Sequence, residues 1–236
     1  MLYKITRILS VALLFTALIL LFVNPKAEDN LPNGFITPII AFEFIQNKQE
    51  IINFFSVKNV ETYQSSMLLG NAIDYLFMCL YSGLLFCIAI IIKREKKWKW
   101  MNLAFIFCIT MCLADALENY QIYQLITKLK YTPELVQSIN SYNYYDIHIT
   151  LLKFFTWIKW SAIATTFLLF SFYFLQQQKW LNKLTGFASV SSFIFCWLAF
   201  FKHGALNEVF STNIVLVFLL LCVFVFTHSE KIKAIS

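Results

Sequence analysis

The stretch MNLAFIFCITMCLADALENYQ, Met101–Gln121, decides the fold class of this chain. Residues 101–114 are apolar enough to lie in lipid, and Asp115 follows them directly. A helix rises about 1.5 Å per residue, so Asp115 lies about 22 Å from Trp100, within a hydrocarbon core of about 30 Å. The stretch therefore predicts a membrane-spanning helix with a carboxylate inside the bilayer.

The composition of the whole chain agrees with a membrane protein. Apolar residues make up 59% of it and aromatic residues 18%, and a soluble domain of this size cannot bury so much apolar surface. Six segments approach the roughly 20 apolar residues that cross a bilayer. They are residues 8–23, 70–92, 101–118, 154–175, 185–201 and 211–228. We predict an all-α, polytopic protein with six transmembrane helices in a single membrane domain, 1–236.

The distribution of lysine and arginine predicts the orientation. The four short segments on one side carry two, five, two and two basic residues, which is 11 of the 19 in the chain. These residues are Lys4, Arg7, Lys93, Arg94, Lys96, Lys97, Lys99, Lys179, Lys183, Lys231 and Lys233. Because basic loops stay in the cytoplasm, both termini are predicted to be cytoplasmic. The same asymmetry explains the net charge of +6, so no nucleic-acid partner is expected.

Two long segments are predicted to lie outside the membrane on the other side, at 24–69 and 119–153. In the first, Thr37 and the following proline indicate a helix start, and residues 38–55 form an amphipathic pattern that fits one helix or two short ones on the outer surface. Its predicted apolar face consists of Ile40, Phe44, Ile51 and Phe55. Its predicted polar face consists of Glu43, Asn47 and Glu50. The second segment continues the third transmembrane helix, and Thr132-Pro133 begins a further helix.

Several ionisable residues are predicted at one depth near the outer side. Counting residues from the inner ends of their helices places Asp74, Glu118 and Lys159 about 26–28 Å up, close to Asp115. A charge inside the bilayer costs on the order of 3 kcal/mol, so these side chains should face protein or water. Lys159 is the expected counter-ion of Asp115 or Glu118, with Glu43 above them. The predicted binding residues are Glu43, Asp74, Asp115, Glu118, Asn119 and Lys159.

The same residues admit a structural interpretation, in which an ion pair only fixes the register of the helices. Catalytic signals are weak, because the chain has no GxSxG motif, no Gly-rich phosphate loop and no histidine spacing typical of metal sites. We therefore expect neither a metal nor another cofactor.

Four stretches of the chain resemble a family of small bacterial multi-pass membrane proteins to which no activity is assigned. They are PNGFITPIIAFEFI, NAIDYLFMCLYSGLL, CLADALENYQ and LLKFFTWIKW, and the similarity covers roughly residues 30–175. Its most specific element is the triplet Asp115, Glu118 and Asn119. The resemblance implies that the six predicted binding residues belong together, in a bacterial inner-membrane protein, and it implies no reaction.

Three functions remain open at this stage. In the first, the charged residues bind the polar head of a lipid or other amphiphile in a pocket near the outer leaflet, beneath an aromatic rim. The rim consists of Tyr142, Tyr144, Tyr145, Trp157 and Trp160. In the second, a membrane-embedded enzyme acts on a lipid-like substrate, with Asp115 as general base and Lys159 or Glu118 as the partner acid. In the third, the chain is a structural subunit, either of a homo-oligomer or of a larger membrane complex.

Overall fold

The structure is a computed structural model that describes residues 1–27, 31–32, 34–128 and 143–233. Within these ranges it is helical, without strands. The helices are α1 (Leu2–Val23), α2 (Pro38–Glu43), α3 (Lys48–Phe54), α4 (Val60–Lys96), α5 (Asn102–Thr127), α6 (Asn143–Leu175), α7 (Trp180–Phe201) and α8 (Ala205–Lys233), with a 3₁₀ turn at Lys99–Met101. The predicted helix start at Thr132-Pro133 lies outside the described residues.

Six of these helices are long and apolar enough to cross a membrane: α1, α4, α5, α6, α7 and α8. The prediction of an all-α protein with six such helices is confirmed. Each packs against the next in that order, and α1 also contacts α8, so the six form a closed ring. The contact between α4 and α6 crosses the interior of the ring.

Three spanning helices extend well beyond the predicted spans. α4 begins at Val60, α5 continues to Thr127 and α6 begins at Asn143, so each enters a segment that the sequence pattern assigned to the exterior. The extensions of α5 and α6 pair through side chains, because Tyr144 Oη donates to Gln124 Oε1 at 2.8 Å and His148 Nδ1 lies 2.6 Å from Gln121 Oε1.

Large apolar side chains cover both the outside and the inside of the ring. Phe15, Leu113 and Phe187 are each more than 60% exposed, as lipid-facing residues of a membrane helix are. Phe167 and Phe170 of α6 are fully buried and pack at the centre. The bundle therefore has an apolar core of its own beneath an apolar surface.

The short helices α2 and α3 form a structure that we call the cap, residues 34–56. α2 contacts α5, α6 and α8, and α3 contacts α6. Seven of its apolar side chains are almost completely buried, whereas Ile36 is exposed. The seven are Ala41, Phe42, Phe44, Ile45, Ile51, Phe54 and Phe55. The sequence pattern allowed one helix or two short ones, and two short helices form, packed into one end of the ring.

Glu43 and Asn47, which the predicted polar face of this segment placed together, lie in different environments. α2 ends at Glu43, and α3 begins anew after Asn47, which accepts a hydrogen bond from Glu50 N at 3.0 Å while Asn47 Nδ2 donates to Glu50 Oε1. These reciprocal hydrogen bonds at the N-terminus of α3 interrupt the helical register. As a result Glu43 is buried in the bundle, whereas Asn47 stays exposed.

The cap is fixed to α8 through Glu208. This carboxylate accepts hydrogen bonds from the backbone N–H groups of Ile36 and Thr37, at 2.9 and 2.7 Å, and from the Thr37 hydroxyl at 3.0 Å. Thr37 is the N-cap of α2, as predicted, but its hydroxyl bonds to Glu208 and not to its own helix. Gly34, at φ 89°, approaches the backbone of Ala205 so closely that a Cβ would lie 2.6 Å from Ala205 N.

A second group of contacts joins the cap to α6 and to the α7–α8 connection. Lys48 Nζ forms an ion pair with Asp146 at 2.7 Å. His203 lies 3.8 Å from Glu50 and packs on Phe35, with ring centroids 5.1 Å apart. Burial lowers the pKa of His203, which favours its neutral form.

At the opposite end of the ring, which we call the basic end, Glu95 near the end of α4 connects four helices. Glu95 accepts hydrogen bonds from the hydroxyls of Tyr3 and Tyr173, at 3.1 and 2.6 Å, and lies 2.6 Å from Nε2 of His228. These contacts connect α1, α4, α6 and α8. The lysines of the α4–α5 and α6–α7 connections lie at this same end.

Candidate functional site

Lys159 of α6 is the centre of a buried charged cluster. Its Nζ lies 2.8 and 2.9 Å from the two carboxylate oxygens of Glu118, 3.0 Å from Glu43 Oε2 and 3.3 Å from Asp115 Oδ1. We call these four residues the acidic centre. Three carboxylates surround one ammonium, so the centre has a formal charge of −2 when all four groups are ionised.

Three different elements supply the acidic centre. Asp115 and Glu118 are three residues apart on α5, a spacing that places both on one face of the helix. Lys159 lies on α6, the neighbour of α5 in the ring, and Glu43 enters from the cap at the last residue of α2. The site thus exists only when the cap is seated on the bundle.

The acidic centre is closed off from its surroundings. Glu118 is 0% exposed, Asp115 2%, Lys159 5% and Glu43 9%. Such a low dielectric environment strengthens each ion pair, and it also makes every unbalanced charge costly.

Three neutral side chains donate hydrogen bonds to Asp115 and Glu43. Tyr81 of α4 donates its hydroxyl to Asp115 Oδ2 at 2.6 Å. Trp160 donates its indole N–H to Glu43 Oε2 at 3.0 Å, and Thr156 donates its hydroxyl to the Glu43 backbone carbonyl at 3.1 Å. The last two bonds hold Glu43 on α6, and their donors, Thr156 and Trp160, lie on either side of Lys159 in the sequence.

Asp74 and Asn119 form a second, neighbouring pair. Asn119 Nδ2 donates to Asp74 Oδ2 at 2.7 Å, and the backbone carbonyl of Asn119 accepts a hydrogen bond from Asn71 Nδ2 at 3.1 Å. Asn119 lies one turn from Asp115 on α5. The six residues predicted from the sequence therefore divide into four that meet directly and two that pair beside them. Their binding role stays a prediction.

The predicted aromatic rim is only partly described by the structure. Tyr142 lies outside the described residues. Tyr144 and Tyr145 bond to α5, and Trp157 packs on Phe44 of the cap with ring centroids 5.2 Å apart. Trp160 does not belong to a rim, because it is buried and bonds directly to Glu43.

Sequence reasoning missed Tyr81 and Glu208. Tyr81 lies seven residues after Asp74, two turns along the same face of α4, and this spacing was the available signal. For Glu208 there was no local signal, because its partners at Ile36 and Thr37 are more than 170 residues away in the chain. Only the closure of the ring brings them together.

The carboxylates are arranged around an ammonium and do not form a metal site. Among the residues that the structure describes, no group of three or more histidine, cysteine, aspartate or glutamate side chains is placed to hold a metal ion.

Comparisons with known proteins gave no match, whether to a protein-family model, to a curated protein or to a solved structure. The resemblance to a family of small bacterial membrane proteins therefore stays a prediction.

Proposed function

We propose that this protein binds a membrane amphiphile whose polar head, carrying a positive charge or several hydrogen-bond donors, reaches the acidic centre. One observation carries the proposal: three buried carboxylates converge on a single lysine. A structural ion pair needs one carboxylate for one ammonium, and the excess of two acceptors calls for a partner that supplies positive charge or protons.

The cost of the excess charge supports this choice of ligand. Within a bilayer each unbalanced charge costs on the order of 3 kcal/mol, and like charges in contact add to that cost. An amine or a donor-rich head offsets the excess negative charge, whereas Glu43, Asp115 and Glu118 would repel an anionic head.

The cap provides the route of entry. Glu43 is the only member of the acidic centre that lies outside the spanning helices, and α2 and α3 are short helices connected by a break at Phe44–Asn47. Movement of the cap away from α6 removes Glu43 and opens the centre to the end of the ring opposite the basic end. The apolar faces of the helices then accept the tail of the amphiphile.

The orientation of the site follows from the distribution of basic residues. Lys93 and Arg94 lie in the last turn of α4 and Lys179 in the α6–α7 connection, all at the basic end, and basic segments of this kind face the cytoplasm. We infer that the basic end and both termini are cytoplasmic, in a bacterial inner membrane, so that the cap and the acidic centre lie near the outer leaflet.

The charge of the head group is tested with three amphiphiles that share one chain length. Purified protein in a neutral detergent is titrated with dodecylamine, dodecanol and dodecyl phosphate, and binding is measured by native mass spectrometry. We expect dodecylamine to bind most tightly and dodecyl phosphate least. Tighter binding of dodecyl phosphate would contradict the proposed head group.

Variants show whether the acidic centre is the site. Asp115→Asn should reduce dodecylamine binding by about tenfold or more, because it removes one charged partner of the head. Glu61→Gln, which removes an exposed carboxylate from α4, is the matched control and should bind as the parent protein does. Equal binding by both variants would leave the acidic centre with a structural role only.

A further inference from the structure

A polar pocket of about 290 Å³ lies at the basic end, far from the acidic centre. The end of α4, the α6–α7 connection, the first turn of α7 and the end of α8 form its walls. The lining includes Lys96, Lys179, Asn182, Thr227 and His228, together with the glutamines 176–178. Since a liquid water molecule occupies about 30 Å³, the pocket has room for a phosphate group with several waters.

The pocket is positively charged. Two lysines line it, and among the residues described no carboxylate does. The nearest acid along the chain, Glu95, is already occupied by the hydroxyls of Tyr3 and Tyr173 and by His228. Lys96 is held in place by a hydrogen bond to Gln176 at 3.1 Å. Among the described residues, the two lysines that line the pocket therefore pair with no carboxylate.

The start of α7 adds hydrogen-bond donors to the same pocket. α7 has 22 residues, and Lys179 at its N-cap makes no side-chain cap. Asn182, the third residue of α7, is only 6% exposed and lines the pocket. Its backbone N–H donates to the Lys179 carbonyl at 3.1 Å, whereas its carboxamide bonds to none of the described residues. A carboxamide without such a partner, in a pocket lined by two lysines, fits a ligand with several acceptor oxygens.

We propose that this pocket binds a phosphate-bearing anion, held by Lys96, Lys179 and the carboxamide of Asn182. The phosphate belongs either to the head group of an anionic phospholipid or to a free phosphorylated compound, since both present the same oxygens. This site is independent of the acidic centre and of the ligand proposed there.

The test compares two double variants that change the net charge equally. Lys96→Gln/Lys179→Gln removes both lysines of the pocket. Lys97→Gln/Lys183→Gln removes two exposed lysines that do not line the pocket. Lys97 is adjacent to Lys96, and Lys183 lies one turn after Lys179. General attraction of anions to the basic end is therefore the same in both, and only the pocket differs.

The full-length protein and both variants are titrated with phosphatidylglycerol in a neutral detergent, and native mass spectrometry measures the bound lipid. In a second arm, thermal unfolding is followed with inorganic phosphate or pyrophosphate against chloride of equal ionic strength. We expect the pocket variant to lose affinity by about tenfold or more for each lysine removed, and the control variant to bind as the parent does.

The two arms distinguish the source of the phosphate. Selective loss of phosphatidylglycerol binding alone identifies a lipid head group, and selective loss of stabilisation by phosphate or pyrophosphate identifies a soluble phosphorylated compound. If the two double variants respond alike in both arms, the anion binds to the surface charge in general, and the proposal is overturned.

A third variant tests the pocket without a change of charge. Asn182→Leu keeps the size of the side chain and removes its donor, so it should weaken phosphate binding while the lysines remain. If the Lys96 substitution disturbs the fold through the contacts of Lys96 with Tyr173 and Gln176, the pair Lys179→Gln and Lys183→Gln gives the same comparison. Unchanged binding by both Asn182→Leu and Lys179→Gln would rule out this pocket.

Discussion

Lys159 and Glu118 face each other between α6 and α5, with both carboxylate oxygens of Glu118 within 2.9 Å of Nζ. The pair is not isolated, because Glu43 and Asp115 contact the same nitrogen. Removal of the lysine and removal of one acid therefore have different consequences.

Lys159→Met should destabilise the protein strongly, by about 3–5 kcal/mol, because it leaves three carboxylates in contact without a cation. Asp115→Asn should cost much less, since Lys159 keeps Glu43 and Glu118 and the excess of negative charge falls. Thermal unfolding in detergent measures both. If the two substitutions cost the same, Lys159 and Asp115 form a simple pair and the excess charge has no energetic effect.

Adding Asp115→Asn to Lys159→Met should recover part of the lost stability. The two residues are in contact, so their effects are not additive. A double variant as unstable as the sum of the two single variants would show that Lys159 stabilises the bundle by packing and not by charge.

Tyr81→Phe should cost about 1.5–3 kcal/mol, because it removes a hydrogen bond to the buried carboxylate of Asp115. Tyr75→Phe, on the same helix, is the control. Its hydroxyl is exposed and donates to the Ala116 carbonyl at 3.3 Å, so its removal should cost less than about 1 kcal/mol. Unfolding of the two variants in parallel gives the difference, and the reverse order would argue against the Tyr81–Asp115 bond.

Glu208→Ala should loosen the cap, because it removes three hydrogen bonds to residues 36–37. We expect hydrogen exchange of the amides of residues 38–54 to accelerate by about tenfold or more, with little change in the spanning helices. Asp146→Ala, which breaks the exposed pair with Lys48, should have a small effect. Equal exchange in the two variants would mean that the cap is held by its buried apolar contacts alone.

Gly34→Ala should destabilise the attachment of the cap. A positive φ costs a residue with a side chain about 1–2 kcal/mol, and the added Cβ would lie 2.6 Å from Ala205 N. Gly83→Ala in α4 is the control, because there the added Cβ meets only Leu9 at 3.7 Å and alanine favours a helix. Thermal unfolding should separate the two variants, with Gly83→Ala as stable as the parent or more so.

Reporter fusions test the proposed orientation. Alkaline phosphatase joined after residue 57, between the cap and α4, should be active, and fusions after residues 97 and 178 should be inactive. The opposite pattern would place the basic end outside the cytoplasm.

The sequence predicted the six spanning helices well because each is a long apolar segment, and such segments need no knowledge of their neighbours. That Asp115, Glu118 and Lys159 lie at one level along their helices was also predictable, since a helix converts residue number into height. Rotation about the helix axis was harder to predict. That Lys159 contacts three carboxylates, and not one, depends on how α5, α6 and the cap pack.

Glu43 illustrates the limit of periodicity. The pattern over 38–55 fitted one helix or two short ones and grouped Glu43 with Asn47 and Glu50, whereas the reciprocal bonds of Asn47 and Glu50 begin a second helix and change the register. A capping box is visible in a sequence, but its power to break a longer amphipathic pattern depends on the burial that Phe44 and Ile45 gain in the bundle. The ligand of the acidic centre stays a prediction, because charge and burial define a chemical class and not a compound.

The closed ring has a consequence for biogenesis. The members of the acidic centre lie between residues 43 and 159, so all of them are synthesised before α7 and α8, and domains generally fold from the N-terminal side during synthesis. Glu208, which holds the cap, arrives only with α8, and the seam between α1 and α8 closes at the same time. A nascent chain therefore contains all four charged residues before the residue that fastens Glu43 and the cap over them, and insertion of α8 completes the site.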